Sequence, residues 1–474
     1  MIPLSLAEIA AVVSGQQCDI PDPEVRVTGP VVKDSRDVTA GCLFAAFAGE
    51  RVDGHEFARG AVADGAAAVL ATRPVGVPAI VVDDVTAALG ALARHTTRTL
   101  GTEIVALTGS AGKTSTKDLI AQLLERIAPT VYPAGNLNNE IGLPLTALRA
   151  DDRTRHLVLE MGARGVGHIR YLAGLTPPRI GVVLNVGTAH LGEFGSREQI
   201  ALAKGELVES LPDAAEGGVA VLNADDPLVR AMAGRTRARV LLFGESEEAD
   251  VRAENVRLEA DGRPSFTLHT PTGCGDVTLR LYGEHHVSNA LAAAAVAHEL
   301  GMPASGIAVA LGTAGTLSRW RMEVSERADG VTVVNDAYNA SPDSMRAALR
   351  ALAAMGRERR TWAVLGEMAE LGDQALAEHD AVGRLAVRLN VHKLVAVGGR
   401  EAAWLDMGAK NEGSWGEESV HVSDAQAAVE LLHKELRPGD VVLVKASRSV
   451  GLERVALGLL EGMSAEGSGK GAGR

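Results

Sequence analysis

From residue 103 onward, short apolar runs alternate with longer amphipathic stretches. Parallel strands covered on both faces and joined by crossover helices produce this pattern. The runs EIVALT (103–108), HLVLE (156–160), RIGVVLN (179–185) and GVAVLN (218–223) predict four strands. Each ends in polar residues, and an open parallel sheet binds its ligands beyond the carboxyl ends of its strands. Residues 240–282 change rhythm: FTLHT and VTLRLY alternate, predicting an antiparallel annex. The alanine-rich segment 290–300 predicts a helix. A third α/β section follows, with strands expected at VTVVND (331–336), TWAVLGE (361–367), KLVAVGG (393–399) and DVVLVKAS (440–447).

Ahead of this lies a smaller α/β unit. Ser5 and Glu8 have capping-box spacing before an apolar run through Val13, FARGAVADGA reads as helix, and AAAVLA and AIVVDD suit buried strands. Polar HTTRTLGT (95–102) and GTAGTLS (312–318) predict linkers, and the terminal SAEGSGKGAGR predicts disorder. The expected division is 1–98, 99–316 and 317–463, with a disordered tail at 464–474. At roughly 150 residues per domain, 474 residues agree with three.

Composition removes several functions. Aromatics are only 3% of the chain, against stacking platforms for single-stranded nucleic acid. The net charge of -13 gives no general attraction for a phosphate backbone, so an anionic ligand must be held locally. Cys18, Cys42 and Cys274 are too scattered for a disulfide framework, which points to a reducing cytoplasm. With no basic n-region and no run of about 18 apolar residues, neither a signal peptide nor a membrane span is expected.

The strand EIVALT runs into GSAGKTSTKDLIAQLLERI, a glycine-rich turn opening an amphipathic helix. Gly109, Ser110, Ala111 and Gly112 form a cradle whose glycines let backbone amides curl around an anion. Lys113 reaches the terminal phosphates, the Thr114 hydroxyl holds Mg²⁺, and Ser115 completes the first turn. An ordinary β-to-α turn with a surface lysine is the bland alternative. The order of strand, turn, Lys-Thr and helix favours an ATP-using enzyme, while the short Gly-x-x-Gly-Lys-Thr spacing speaks against ordinary GTPases and kinases.

Three more residues stand beyond strands of the same sheet. Glu160, at the end of HLVLE, suits a Mg²⁺ bound to phosphates, or equally a helix cap or ion pair. His190, in NVGTAHLGEFGS, is a ligand or a surface loop residue. Lys204 shares one helix face with Ile200, Leu207, Val208 and Leu211. A lysine in an apolar stripe either snorkels outward or is buried, with its pKa lowered and its amine nucleophilic.

In order along the chain, DSR with DGHEF, TGSAGKTSTK, GNLNNEIGLP, LEMGARGVGHI, NVGTAHLGEFGSREQIALAKGE, NADDP, NDAYNASPDSMRAAL and LGEMAELG resemble the Mur ligases. These are ATP-dependent amide-bond-forming enzymes of peptidoglycan synthesis, and the wording is similar in particular to the MurF type. The resemblance implies an N-terminal domain for a UDP-sugar, a central P-loop ATPase domain and a C-terminal Rossmann-like domain for the incoming amine. The resemblance gives Lys113 and Thr114 to ATP and Mg²⁺, Glu160 and His190 to metal binding, and Lys204 to a lysine carbamylated by CO₂ that serves as an anionic metal ligand. Asn289 is similar to an adenine-contacting asparagine, and Arg321, Asp336 and Tyr338 to groups that close over the nucleotide. Ser35 and Arg36 resemble part of the uridine-nucleotide site, Asn138 a further substrate-binding residue, and Asn339, Ser341 and Pro342 a segment facing a dipeptide. Ser341 and Pro342 would serve equally as helix cap and first-turn proline. Two departures stand out: GEHHVSN carries His286 where the family has asparagine, and SRWRME leaves Arg319 competing with Arg321.

The implied chemistry joins D-alanyl-D-alanine to UDP-N-acetylmuramoyl-tripeptide through an acyl phosphate, with closure of the domains excluding water. The chain is expected to act as a cytoplasmic monomer on these small molecules, without nucleic acid. Other ligases of the superfamily, of the MurE or folylpolyglutamate synthase type, are the near alternatives, although no Asp-Asn-Pro-Arg motif occurs in the last third. A P-loop NTPase switch is the alternative of a different class.

Overall fold

The computed structural model describes residues 1–49, 52–188, 191–414 and 416–461. Ser5 caps the first helix, Leu6–Val13, as its spacing requires: Oγ accepts from Glu8 N (3.2 Å) and the Glu8 carboxylate from Ser5 N (2.7 Å). Beyond it lies a five-stranded sheet in the order Gln16–Cys18, Ala79–Val81, Ala68–Ala71, Leu43–Ala45, Val31–Val32. Its last four strands are parallel, and Gln16–Cys18 closes one edge antiparallel.

The polar stretch 95–102 is not a linker. Helix Val85–Leu100 runs through it, capped by Asp84, whose Oδ1 accepts from Thr86 N (2.7 Å). Thr97 and Thr99 satisfy their hydroxyls on the carbonyls of Ala93 and His95, and Thr96 and Thr97 are buried, so a polar spelling hides a packed helix. The break comes at Gly101, whose positive φ of 61° ends the helix in the left-handed region. Leu89 and Leu92 of this helix share a core with Leu143, Ile169 and Leu172, which welds the first sheet to the next unit.

The central sheet has nine strands, ordered Gly273–Thr278, Pro264–Thr270, Val251–Leu258, Arg239–Gly244, Val219–Asn223, Ile180–Val183, Glu103–Thr108, His156–Glu160, Thr130–Val131. The four expected strands are all present. The antiparallel annex is only half right: Arg239–Gly244 and Val251–Leu258 extend the parallel sheet, and only the last two pairings are antiparallel, with Pro264–Thr270 running against the rest. A strand with one face buried alternates whatever its direction, so the spelling of 240–258 does not separate parallel from antiparallel pairing. The helices Lys113–Leu124 and His285–Glu299 cover one face. Helix Ala304–Thr313 takes up the first two residues of the second expected linker, 312–318, so the break comes only at Ala314.

The last sheet runs Glu323–Glu326, Thr332–Asn335, Val441–Lys445, Thr361–Gly366, Lys393–Val397, Ser419–Val422, parallel except for the first strand. Its core holds the fully buried Trp362, whose Nε1 donates to Asp440 Oδ2 at 2.9 Å. The α/β, three-domain architecture is the one expected. Sequence pattern missed Thr130–Val131, Glu323–Glu326 and Ser419–Val422, all short edge strands of mixed polarity. The tail expected to be disordered, 464–474, lies outside the described residues.

Candidate active site

Register decides where the site forms. Glu103–Thr108 lies between two parallel neighbours, with Leu107 opposite Glu160 and Thr108 opposite Val183. The carboxyl ends of all three strands therefore open at one place, and Gly109–Gly112 turns there into helix Lys113–Leu124. Gly112, at φ 78°, also admits Asn289: a methyl group on it would stand 2.5 Å from Asn289 Oδ1. Lys113 folds back so that Nζ donates to Gly109 O at 2.8 Å, and burial lowers its pKa, with Glu160 opposing and Arg321 reinforcing the shift. Asn185 holds the turn from the neighbouring strand end. Its Oδ1 accepts from Ser110 N (3.0 Å) and Ala111 N (2.9 Å), and its Nδ2 donates to Ala111 O (3.1 Å). The amides of the helix's first turn, through Ser115, point the positive end of the helix dipole into the same space.

Beneath this turn Thr114 Oγ1 donates to Glu160 Oε2 at 2.9 Å, and Asn138 Nδ2 donates to Glu160 Oε1 at 2.7 Å. Both Thr114 and Glu160 are buried. A hydroxyl and a carboxylate side by side are hard oxygen donors, the set that suits Mg²⁺ when phosphates and water complete its shell. Among the described residues no group of three His, Cys, Asp or Glu side chains gathers as for an ion held by protein alone. His190 lies outside the described residues.

Of the two readings of the stripe, Lys204 takes the buried one, on helix Arg197–Glu209 capped by Ser196. Burial first, then the positive charge of Lys113, pushes its pKa well below the usual lysine range. It makes no hydrogen bond or ion pair with any described residue, so its amine sits near Lys113 without a counter-charge.

The C-terminal segment closes on the same place. Arg321 NH2 donates to Thr114 Oγ1 at 3.2 Å, and the guanidinium stacks 4.2 Å from the ring centre of Tyr338. Arg319 is exposed, so Arg321 is the arginine that faces the cradle. Asp336 is fixed by the buried Lys445, whose Nζ donates to Oδ2 at 2.6 Å, and by Met322 N at 3.0 Å. Asn339 supplies a carbonyl to the same lysine (2.8 Å). A cleft of about 440 Å³ lies between the central and C-terminal parts, lined among others by Gly112, Thr114, Ser115, Asn289, Arg321 and Asp336. His286 stands on its wall, and its Nε2 finds no hydrogen-bond partner among the described residues.

Other expected residues stand elsewhere. Ser341 and Pro342 act as cap and first-turn proline of helix Pro342–Met355, and neither is among the residues lining the cleft. Ser35 and Arg36 form a short 3-10 turn of the first domain, where the exposed Arg36 pairs with Asp34 at 2.5 Å. In the same domain His55, of DGHEF, is buried and bonded to Asp53 and Thr72.

Sequence reasoning passed over Asn185, Lys117, Asp118 and Lys445. Asn185 ends a strand beside the cradle, and position alone could have singled it out. Lys445 is a lysine inside an apolar run, the same signal that pointed to Lys204. Lys117 and Asp118 gave none, since TSTKD is an unbroken polar stretch, yet both are buried and paired at 2.7 Å.

Comparison with known proteins identifies the family. The Mur ligase family catalytic domain matches residues 31–97, the Mur ligase middle domain 107–297, and the Mur ligase glutamate ligase domain 320–448. The UDP-N-acetylmuramoyl-tripeptide--D-alanyl-D-alanine ligase of Mycobacterium tuberculosis is 51% identical, over 96% of this chain and 97% of its own. A crystal structure of MurF from Acinetobacter baumannii superposes with a TM-score of 0.86 at 31% identity, covering 97% of this chain and 99% of that one. MurF ligase from Thermotoga maritima, solved in complex with ADP, gives 0.80 at 31%, covering 93% and 99%. The chain belongs to the Mur ligase family and, within it, to the MurF type.

Proposed function

We propose that this chain is an ATP-dependent carboxylate-amine ligase that joins D-alanyl-D-alanine to UDP-N-acetylmuramoyl-tripeptide, giving the UDP-N-acetylmuramoyl-pentapeptide precursor of peptidoglycan. One observation carries the reading beyond a bare nucleotide switch. Thr114, in the cradle helix, is bonded at once by Glu160 of the neighbouring strand and by Arg321 of the C-terminal segment. A site built from two domains suits a reaction that must bring together an activated group and a second substrate.

In this reading residues 1–98 hold the UDP-sugar through Ser35 and Arg36, 99–316 hold ATP, and 317–463 bring the dipeptide past Asn339, Ser341 and Pro342. A carboxylate oxygen of the tripeptide attacks the γ-phosphorus of ATP, the bond to the bridging oxygen breaks, and ADP leaves. Lys113 swings from Gly109 O onto the transferring phosphoryl group and neutralises charge on its equatorial oxygens. Asn289 contacts the base, and Arg321, Asp336 and Tyr338 close over the nucleotide. The dipeptide amine then attacks the acyl carbon, loses a proton and expels inorganic phosphate. Mg²⁺, when bound, supplies positive charge at the phosphates, and Thr114, Glu160 and His190 are the residues that would hold it. Asn138 orients the Glu160 carboxylate from the substrate side.

Lys204 has a separate part. A buried, neutral amine adds to CO₂, releasing a proton and leaving a carbamate anion. That anion would add a second negative charge near Lys113, beside that of Glu160. Burial, the absent partner and the lowered proton affinity support this reading.

Phosphate release measured with ATP and UDP-N-acetylmuramoyl-tripeptide tests the ligase reading. Release should depend on D-alanyl-D-alanine and match, mole for mole, a product heavier by one dipeptide. Release indifferent to the dipeptide would leave the chain a nucleotide-driven switch. For Lys204, intact mass at high bicarbonate should show one added carboxyl group that is missing in Lys204→Ala.

A further inference from the structure

The loop 185–188 ties two parts of the molecule to the phosphate cradle. Asn185 grips Ser110 and Ala111, as described above. Two residues on, Gly187 meets the C-terminal domain so closely that a methyl group there would lie 2.4 Å from Asp343 Oδ2. Thr188 then donates to that same oxygen twice, from N at 3.1 Å and from Oγ1 at 3.3 Å. Asp343 is the second residue of helix Pro342–Met355. Its other oxygen accepts from Arg346 NH1 at 3.0 Å, and Arg346 NH2 reaches Glu378 on helix Ala375–Arg388 at 2.6 Å.

The helix does not need this carboxylate as a cap. Ser341 already performs that role, and Asp343 turns Oδ2 across the domain boundary instead. An acid at a helix start is ordinarily explained by the dipole alone. Two donors from another domain, together with a glycine that makes room for the oxygen, call for more.

We propose that Asp343 is a positioning residue. By accepting from Thr188 it sets where the C-terminal domain stands over the phosphate cradle, and so how far the dipeptide amine lies from the activated carboxyl group. This rests on the ligase reading. Asp343 acts through Thr188 and Gly187 and need not touch the reacting atoms. A misplacement of about 1 Å costs on the order of 10²-fold in rate, so two hydrogen bonds across a domain boundary carry weight.

The test uses the full chain with all three substrates. In Asp343→Ala, kcat for dipeptide-dependent phosphate release should fall about tenfold or more, and KM for D-alanyl-D-alanine should rise. The dissociation constant for ADP alone should stay within about twofold, because Asn185 still holds the cradle. Asp343→Asn keeps an acceptor oxygen for Thr188 but gives up the charge facing Arg346, and should recover most of the lost turnover. Adding Thr188→Val to Asp343→Ala should cost nothing more. An unchanged kcat in Asp343→Ala, an Asp343→Asn as poor as the alanine variant, or losses that multiply in the double variant would each overturn the proposal. A wild type that ignores the dipeptide would sink the ligase reading and this proposal with it, whereas an active wild type matched by Asp343→Ala sinks this proposal alone.

Discussion

Thr114 Oγ1 and Glu160 Oε2 stand 2.9 Å apart, joining the first turn of the cradle helix to the end of the adjacent strand. The two side chains come from segments whose strands pair in parallel, with Glu160 level with Leu107. Their meeting is thus a consequence of register, and a slip by one residue would turn Glu160 to the other face.

Replacing Glu160 with Gln keeps an acceptor for Thr114 but removes the charge. Turnover should fall about 10²-fold, and the Mg²⁺ concentration for half-maximal rate should rise, while the melting temperature holds. Thr114→Ala should behave alike at smaller cost. Steady-state rates across a Mg²⁺ titration check both. A rate loss with no change in the Mg²⁺ requirement would assign Glu160 to architecture alone.

Arg321 and Arg319 lie two residues apart and are separated by exposure. Arg321→Ala removes the donor to Thr114 and the stack on Tyr338, and should lower kcat/KM for ATP by about 10 to 10²-fold. Arg319→Ala, on the exposed side, should stay within about twofold. Equal losses in the two variants would show that the linker arginines act together.

In the second turn of the cradle helix, Lys117 donates to Pro133 O (2.8 Å), Gly135 O (3.1 Å) and Ser318 Oγ (3.3 Å), while Asp118 accepts from Ser318 N (2.9 Å). The pair therefore fastens the linker to the C-terminal domain against the cradle helix. Lys117→Met strands a buried carboxylate and should cost about 3 to 5 kcal/mol in denaturant unfolding. Combining it with Asp118→Asn should return part of that loss, because no buried charge is left alone. If the double variant is no better than the single one, the carbonyl contacts, and not the ion pair, set the cost.

The fold and the cradle were legible because both are written in local pattern. Apolar runs of the right length mark buried strands, and Gly-Lys-Thr after a strand marks an anion site. Lys204 was legible for the same reason, since an apolar helix face with a lysine in it can be counted. The missed residues depend on distance in space. Asn185 matters because two strands end side by side, and Lys117 because residues 133–135 and 318 fold over it. The linker at 95–102 was misread since threonine hydroxyls are as content inside a helix, bonded to the preceding turn, as in a loop. Arg319 and Arg321 could be told apart only once the backbone showed which one turns inward.

His285 supplies a pH dependence whose direction follows from its surroundings. Burial drives its pKa down to about 4, against a pull upward from Asp336 and a push downward from Lys445. His286, packed beside it with ring centres 4.2 Å apart, is also shifted well below the ordinary value by burial. Between about pH 6.5 and 4 the unfolded chain takes up protons that the folded chain refuses. Stability is therefore full above pH 6.5 and drains away as pH falls through that window. His285 keeps one edge toward solvent, so its share should be about 1 to 3 kcal/mol, less than the full shift would give. Guanidinium unfolding at pH 7.5 and pH 5 measures the loss, and His285→Gln should flatten the difference. A wild type and a glutamine variant that lose stability in parallel would place the acid sensitivity elsewhere, in His286 or in the buried carboxylates.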